Sequence, residues 1–350
     1  MKIIVVTPDF GAGDVPLGKL YAEAFTELGH ETFFLAQNSR VTDISFVGRS
    51  FSYLNRTFSP ITGAYERSEN LLVEKIKQCK ADITVFIRCE TLSLSAIRDI
   101  KNCTNTHMVN IYPDSPLVIP GIERKKFSEW LAEFDVIFSS DIYIKKVFYQ
   151  LGAKRVEFLP FAYDPKYHLP RVLTNNDVKI FSSPVGYVGT FGKLQKDWLS
   201  SIQHHGLKVW GNSWDNLSRQ DSLRKSWIKG RGIGAEMWKA INLSAITFNM
   251  CRVEHSAEIS MKTFEIPAAG GLMLSNFTET QNAFFKDGVQ AVYYNNREEA
   301  SDLIEFYIKR PELIEKIKFN SMKAVERHTY QSRARAIIDY VLTSQMTSFI

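Results

Sequence analysis

The sequence predicts two α/β domains, each a doubly wound parallel sheet flanked by helices. Three observations carry that prediction. Short, wholly apolar runs of strand length alternate with segments of helical periodicity along the chain, which is the pattern of a parallel sheet with crossover helices. The 350 residues exceed the roughly 250–300 at which one hydrophobic core stops growing. The alternation is also interrupted once, over Phe161–Pro184, and then begins again.

Lys2–Thr7 opens the series as an apolar run typical of a strand buried on both faces. Leu20–Leu28 carries apolar residues at helical spacing and stops at Gly29, a C′ glycine. Strands are expected at Thr32–Ala36, Ile83–Ile87, Met108–Tyr112, Val136–Ser139 and Val156–Leu159, with a helix ending over Glu74–Cys79. Phe161–Pro184 reads as turn formers without periodicity: Tyr163-Asp164-Pro165, Leu169-Pro170 and Thr174-Asn175-Asn176-Asp177. Strands resume at Val185–Gly189, Leu207–Trp210, Ala245–Asn249, Leu272–Ser275 and Ala291–Tyr294. Asp302–Lys309 is a helix, Pro311 opens the next at its first turn, and Ser332–Leu342 is a last amphipathic helix. The division expected from this reading is an N-terminal domain over 1–165, a second over 184–330, and a C-terminal helix in 331–350 packing back on the first.

Composition excludes several classes. With 45% hydrophobic and 23% charged residues the chain is not disordered. No run approaches the roughly 20 apolar residues of a membrane span. The N-terminal apolar run is too short for a signal peptide, and Cys79, Cys89, Cys103 and Cys251 have neither disulfide-framework nor zinc spacing, so a reducing cytoplasm is expected. The net charge of +5 suits anionic partners without choosing among nucleotide phosphates, acidic lipids and DNA.

The segment richest in chemistry is Ser260–Ser275. Lys262 and Glu265 lie three apart and share a face if the segment is helical. A helix end of this kind directs backbone N–H groups and Lys262 toward a phosphate, and Glu265 is placed to accept hydrogen bonds from a ribose diol. The competing reading is an exposed Lys–Glu pair before an ordinary helix–strand turn.

Lys262-Thr263-Phe264-Glu265-Ile266-Pro267-Ala268-Ala269-Gly270-Gly271 resembles the R/K-x-F-E-x-x-A-x-G-G motif of glycosyltransferases of the CgeB, or spore-maturation-like, type. Further segments agree in order. Tyr187–Phe191 resembles the family's F-V-G-S strand, and Val209–Trp214 its Y-G-x-x-W segment. Glu326–Tyr330 with Arg333 resembles its E-H-T-Y-x-x-R stretch, and Leu159–Pro165 its L-P-x-A-x-D-P ending of the first domain. The resemblance covers most of residues 155–342 and is loose before that. It implies the GT-B fold, two Rossmann-like domains facing across a cleft, and transfer of a sugar from a nucleotide sugar, UDP- or GDP-linked. By the same resemblance Glu265 binds the ribose and Lys262 the diphosphate, with Gly270 and Gly271 completing the donor motif. Where the family more often has Arg, Lys262 supplies a point charge in place of a fork.

Other candidates follow from position. Gly189-Thr190-Phe191-Gly192-Lys193-Leu194-Gln195-Lys196 follows a strand; Gly189 permits close approach of a phosphate, and Lys193 or Lys196 adds charge, although the spacing is not that of a Walker loop. Glu258 and His255 are candidates for the donor sugar, weighed against a surface cluster. Asp114 follows a buried strand and is the candidate base that takes the acceptor's proton; the rival reading of Pro113-Asp114-Ser115-Pro116 is simply a turn. The segment resembles the family's D-x-P loop and, faintly, the base-carrying loop of phage DNA β-glucosyltransferase. Asp9, Gly11, Gly13 and Asp14 form an acceptor-side loop that lacks the dinucleotide fingerprint.

Basic and aromatic residues interleave at Arg49, Phe51, Tyr53, Arg56, Phe58, Tyr65 and Arg67, and again at Arg124–Phe127 and Trp130, a composition suited to a lipid surface or nucleic acid; the competing reading, expected for about half of them, is core aromatics with solvated arginines. His204 and His205 are expected to point apart, and no metal or other cofactor is expected. The expected activity is metal-independent transfer to a bacterial surface glycan or lipid-linked saccharide, with peripheral membrane contact. The alternatives are a DNA-modifying glucosyltransferase acting on hydroxymethylated bases and a non-catalytic nucleotide- or sugar-binding module.

Overall fold

Each of the eleven expected strands is present, and every pairing between them is parallel. The computed structural model describes residues 1–8, 16–36, 64–117, 124–230, 232, 234–251 and 258–349. Residues 1–160 and 334–347 form one unit, and residues 161–333 with 348–350 form a second.

In the first unit, β1 (Lys2–Thr7), β2 (Glu31–Ala36), β3 (Ile83–Ile87), β4 (His107–Tyr112), β5 (Val136–Ser139) and β6 (Val156–Phe158) lie in the order β2-β1-β3-β4-β5-β6. All five residues of β3 are buried, as are the last five of β1 and of β4, which is why these strands read as unbroken apolar runs. β2 is one of the two edge strands and is only partly buried. The core gathers Ile4, Phe86, Ile97, Tyr112, Trp130 and Phe148. Residues 334–347 belong to this unit through the Tyr330–Thr343 helix, where the Tyr340 ring meets Phe138 edge-on at 5.5 Å.

The second unit holds β7 (Ser183–Val188), β8 (Leu207–Trp210), β9 (Ser244–Asn249), β10 (Met273–Asn276) and β11 (Val292–Tyr294) in the order β11-β10-β9-β7-β8. Its core joins Val185, Leu199, Trp214, Phe248, Tyr294 and Ile304. The strand order changes direction between β7 and β9, as it does between β1 and β3 in the first sheet. Crevices beside the carboxyl ends of strands at such reversals are where ligands of open α/β sheets bind.

Three expectations are corrected. Phe161–Pro184 is not aperiodic, because its turn formers are helix-start signals. Asp164 caps the Pro165–His168 turn by accepting from the Lys166 N–H, and Thr174 with Asp177 forms a capping box on the Asn175–Phe181 helix. His204 and His205 do not point apart: a 3-10 turn ending at Gly206 brings their rings to 4.0 Å. Phe127 and Trp130 are not available for docking. They stack on each other at 5.8 Å in the core, and their helix leaves Lys125 and Lys126 outside. The segment from Arg49 to Phe58 and the side chains of Tyr65, Arg67 and Arg124 lie outside the described residues.

Candidate functional site

The Lys262–Ala268 helix starts beside the carboxyl ends of β9 and β10, and hydrogen bonds fix it there. The Thr278 hydroxyl, just past β10, donates to the Glu258 carbonyl at 2.6 Å, and the Cys251 N–H, just past β9, donates to Asn276 Oδ1 at 2.7 Å. The Ser260 N–H caps back onto Thr263 Oγ1 at 3.1 Å. Lys262 and Glu265 do share a face, and Lys262 Nζ donates to Glu265 Oε2. The pair is not an exposed one, since Glu265 is only 2% exposed.

A third partner comes from the Pro165–His168 turn. His168 Nε2 stands 3.4 Å from Glu265 Oε1. The Asp164 N–H donates to His168 Nδ1 at 2.8 Å, and Nε2 is the ring nitrogen that faces the carboxylate. Burial pushes the Glu265 carboxyl up, but Lys262 and His168 outweigh it and hold the group at about 2. Glu265 is therefore a buried, ionised acceptor with an ammonium on one oxygen and an imidazole on the other. The imidazole was missed in the sequence. Its only signal is the Asp164-Pro165 cap, one helical turn before His168.

Gly270 and Gly271 lie at the opposite end of this helix and terminate it. The Gly271 N–H donates to the Ile266 carbonyl and the Gly270 N–H to the Pro267 carbonyl, with Gly270 at φ 72°. This is a Schellman stop, and both glycines are buried. Glu258 sits at the head of the Glu279–Phe284 helix, where its carboxylate accepts from the Thr280 N–H at 3.4 Å.

The second candidate segment joins β7 to the Lys193–Ile202 helix, at the reversal in strand order. Gly189 is pinned there: its N–H donates to the Trp210 carbonyl, and its own carbonyl accepts from Trp214 Nε1 at 2.8 Å. A Cβ on Gly211 would lie 2.1 Å from the Gly189 oxygen, so this close approach needs glycine. Lys193 is exposed in the helix's first turn, beside unshared backbone N–H groups. Lys196 is instead engaged with Asp221 at 3.0 Å.

In the first unit, Asp114 lies beyond β4 and is 59% exposed on its side chain. It accepts from Arg88 Nη1 at 2.7 Å, and the rest of the Arg88 fork grips Glu90. Neither Arg88 nor Glu90 was singled out in the sequence. Arg88 and Cys89 take φ 59° and 63°, the left-handed region, in succession. Such conformations cost about 1–3 kcal/mol each for non-glycine residues and persist where surrounding structure enforces them. Here the Arg88 N–H donates to the Ile111 carbonyl at 3.0 Å, the Arg88 carbonyl accepts from Asn110 Nδ2 at 2.8 Å, and Cys89 is fully buried.

Asp9, Gly11, Gly13, Asp14 and His255 lie outside the described residues. Among the described residues no group of three or more His, Cys, Asp or Glu side chains is placed to hold a metal ion. No helix there is long and apolar enough to cross a membrane.

Residues 193–339 match the family described as Glycosyl transferase-like. That span contains Lys193, Lys196, Lys262, Glu265, Gly270 and Gly271. No curated protein matches the chain in a sequence search. The fold is shared with solved structures over nearly the whole length. A glycosyltransferase from Rickettsia africae is 14% identical, with TM-score 0.64, covering 98% of this chain and 99% of its own. HepE from Anabaena in complex with UDP-glucose is 10% identical, with TM-score 0.66, covering 99% and 100%. An α-glucosyltransferase in complex with UDP-glucose and abasic DNA is 13% identical, with TM-score 0.63, covering 98% and 99%. Two parallel-sheet domains of the GT-B type are what the chain shares with these solved structures, and residues 193–339, which make up most of the second unit, match the glycosyl transferase-like family.

Proposed function

We propose that this protein transfers a hexosyl group from a UDP- or GDP-linked sugar to an acceptor hydroxyl, with the nucleotide held by the second unit. The observation that carries the reading is Glu265: a buried carboxylate kept ionised by Lys262 and His168, within the residues that match the glycosyltransferase family. A ribose diol offers two O–H donors, and a carboxylate accepts both. Lys262 is 24% exposed on its side chain and long enough to swing from Oε2 toward a diphosphate, so that ribose replaces it on Glu265. Its charge then rests on the leaving group, where negative charge develops as the glycosidic bond breaks. Lys193 and the unshared N–H groups of its helix supply a second positive end. Together they do the work that a metal ion does elsewhere, and the reaction is proposed to be metal-independent. HepE bound to UDP-glucose supports a uridine nucleotide.

Asp114 is proposed as the base for the acceptor hydroxyl, and Glu258 and His255 as neighbours of the donor sugar. The CgeB-type motif run supports a bacterial surface glycan or lipid-linked saccharide as acceptor, reached in the cytoplasm or at the inner face of the membrane. A second reading, transfer to hydroxymethylated DNA, is favoured by the net charge of +5 and the likeness to the DNA-bound α-glucosyltransferase. Duplex binding that weakens steeply with salt is its expected signature.

Calorimetry with UDP tests the donor site. Glu265→Ala is expected to lower affinity by about tenfold or more, the loss of one charge-assisted hydrogen-bonding group. Unchanged affinity for UDP and GDP would remove Glu265 from the site.

A further inference from the structure

The reversal in the first sheet lies between β1 and β3, and the residues that follow β3 there are Arg88, Cys89 and Glu90. Arg88 holds two carboxylates at once. Nε and Nη2 donate to Glu90 Oε1, and Nη1 donates to Asp114 Oδ2. The three side chains are graded in depth. Glu90 is 9% exposed, Arg88 34% and Asp114 59%, so the cluster runs from the interior of the unit to solvent. Glu90 Oε2 is buried and has no hydrogen-bond partner among the described residues. The same holds for the Tyr112 hydroxyl, whose ring lies 5.8 Å beneath the Arg88 guanidinium. A buried carboxylate oxygen without a donor is costly, and it marks a place where a donor is expected.

We propose that Arg88, Glu90 and Asp114 form the subsite for the acceptor's hydroxyl groups, and that it takes a neutral saccharide in preference to a phosphodiester. The proposal rests on the transferase reading above for the word acceptor, but its chemistry stands on the cluster. One guanidinium against two carboxylates leaves a net negative charge. The carboxylate oxygens accept only, so they call for O–H or N–H donors. A phosphate brings more acceptors and a like charge, whereas a vicinal diol brings donors for Asp114 and Glu90. Its lone pairs also suit the guanidinium N–H groups that Arg88 has left over from its three bonds. Asp141, buried at the end of the adjacent strand β5, adds no positive charge, and Ser140 beside it donates to the Pro113 carbonyl at 2.8 Å, steadying the turn that carries Asp114. Asn110 acts through Arg88, whose carbonyl it holds, and is a positioning residue; Glu90 grips the fork with Oε1, and Oε2 is the oxygen left to accept from the ligand.

Saturation-transfer NMR without nucleotide tests this on the full chain, using methyl glucoside, methyl galactoside and maltose as probes. The wild type is expected to give signals with a neutral probe. Arg88→Ala and Glu90→Gln are expected to weaken them about tenfold, with UDP affinity by calorimetry unchanged and Arg88→Lys restoring part of the loss. If Arg88→Ala fails to fold, Asp114→Asn, a change at an exposed side chain, must reduce the signal in its place. The idea is overturned by wild-type silence with all three sugars, or by signals indifferent to Arg88 and Asp114. Binding of hydroxymethylated duplex DNA that disappears in Arg88→Ala overturns it as well. UDP binding is read separately: its absence from the wild type would sink the donor reading and leave the saccharide signals to decide the subsite.

Discussion

Glu265 carries a charge where there is almost no water, and it does so because both of its oxygens are met. Removing one partner leaves a buried charge half-satisfied, and losses of that kind run to about 1–3 kcal/mol. His168→Ala is therefore expected to lower thermal stability by that amount and to weaken UDP binding. His168→Gln, which keeps a donor, should recover part of both; equal loss in the two variants would show that donation from the ring is immaterial. The same group ties stability to acid. Its folded value of about 2 lies below the ordinary carboxyl range, so it stabilises the fold above about pH 4.5, a contribution lost as pH falls toward 2. Lys262 and Glu265 were legible because i,i+3 spacing is a local rule. His168 was not, because nothing in a linear reading says that an Asp-Pro cap far upstream will swing an imidazole onto that carboxylate. Arg88 and Glu90 were hidden for a related reason: left-handed backbone at non-glycine residues leaves no compositional trace.

At the scale of elements, two of the family-like segments prove to be partners. Tyr163 bridges to Thr329 in parallel, with the Tyr163 N–H donating to the His328 carbonyl and the Tyr330 N–H returning to Tyr163. Arg333, fully buried, donates to the Phe161 carbonyl at 3.0 Å and to His328 Nδ1 at 3.0 Å. His328 in turn packs on Phe264, next to Glu265, at 5.3 Å. The E-H-T-Y-x-x-R resemblance thus reports a clasp that seats the Lys262–Ala268 helix. Burial, with Arg333 and Arg327 adding to it, pushes His328 down to about 3. Kept neutral when folded, it stabilises the protein above pH 6.5, and that stability drains away as pH falls from 6.5 toward 3. His328→Gln should flatten the slope of melting temperature against pH in that window; an unchanged slope would clear His328 of the effect.

The helix stop makes a separate prediction. Gly270→Ala puts a Cβ at φ 72° and 3.0 Å from Asn242 Nδ2, at a cost of about 1–2 kcal/mol. Melting at neutral pH measures it, and a neutral substitution would contradict the left-handed backbone.

Across the whole molecule, the strands were nearly all readable, because a strand buried on both faces is an apolar run that few other structures imitate. The two reversals in strand order were not readable, since pairing is decided by which helix covers which face. Nor was the clasp, whose halves are separated by an entire sheet. The Tyr330–Thr343 helix begins in the second unit and ends in the first. Tyr340→Ala removes the ring that meets Phe138 and is expected to cost about 3 kcal/mol. Hydrogen exchange should register that loss at β5 and β6 and leave β9 and β10 protected; uniform loss across both sheets would contradict the division into units.

That helix also sets a timetable. Residues 161–333 are nearly a self-contained unit, while residues 1–160 lack one of their own packing elements until 334–347 have been made. On a ribosome the sheet synthesised first is therefore the one completed last, with Phe138 still uncovered while the later sheet is already free to fold. The interval in between exposes an apolar face to chaperones and to neighbouring chains, so a pause in translation near residue 333 should be costlier to the yield of native protein than one near residue 160.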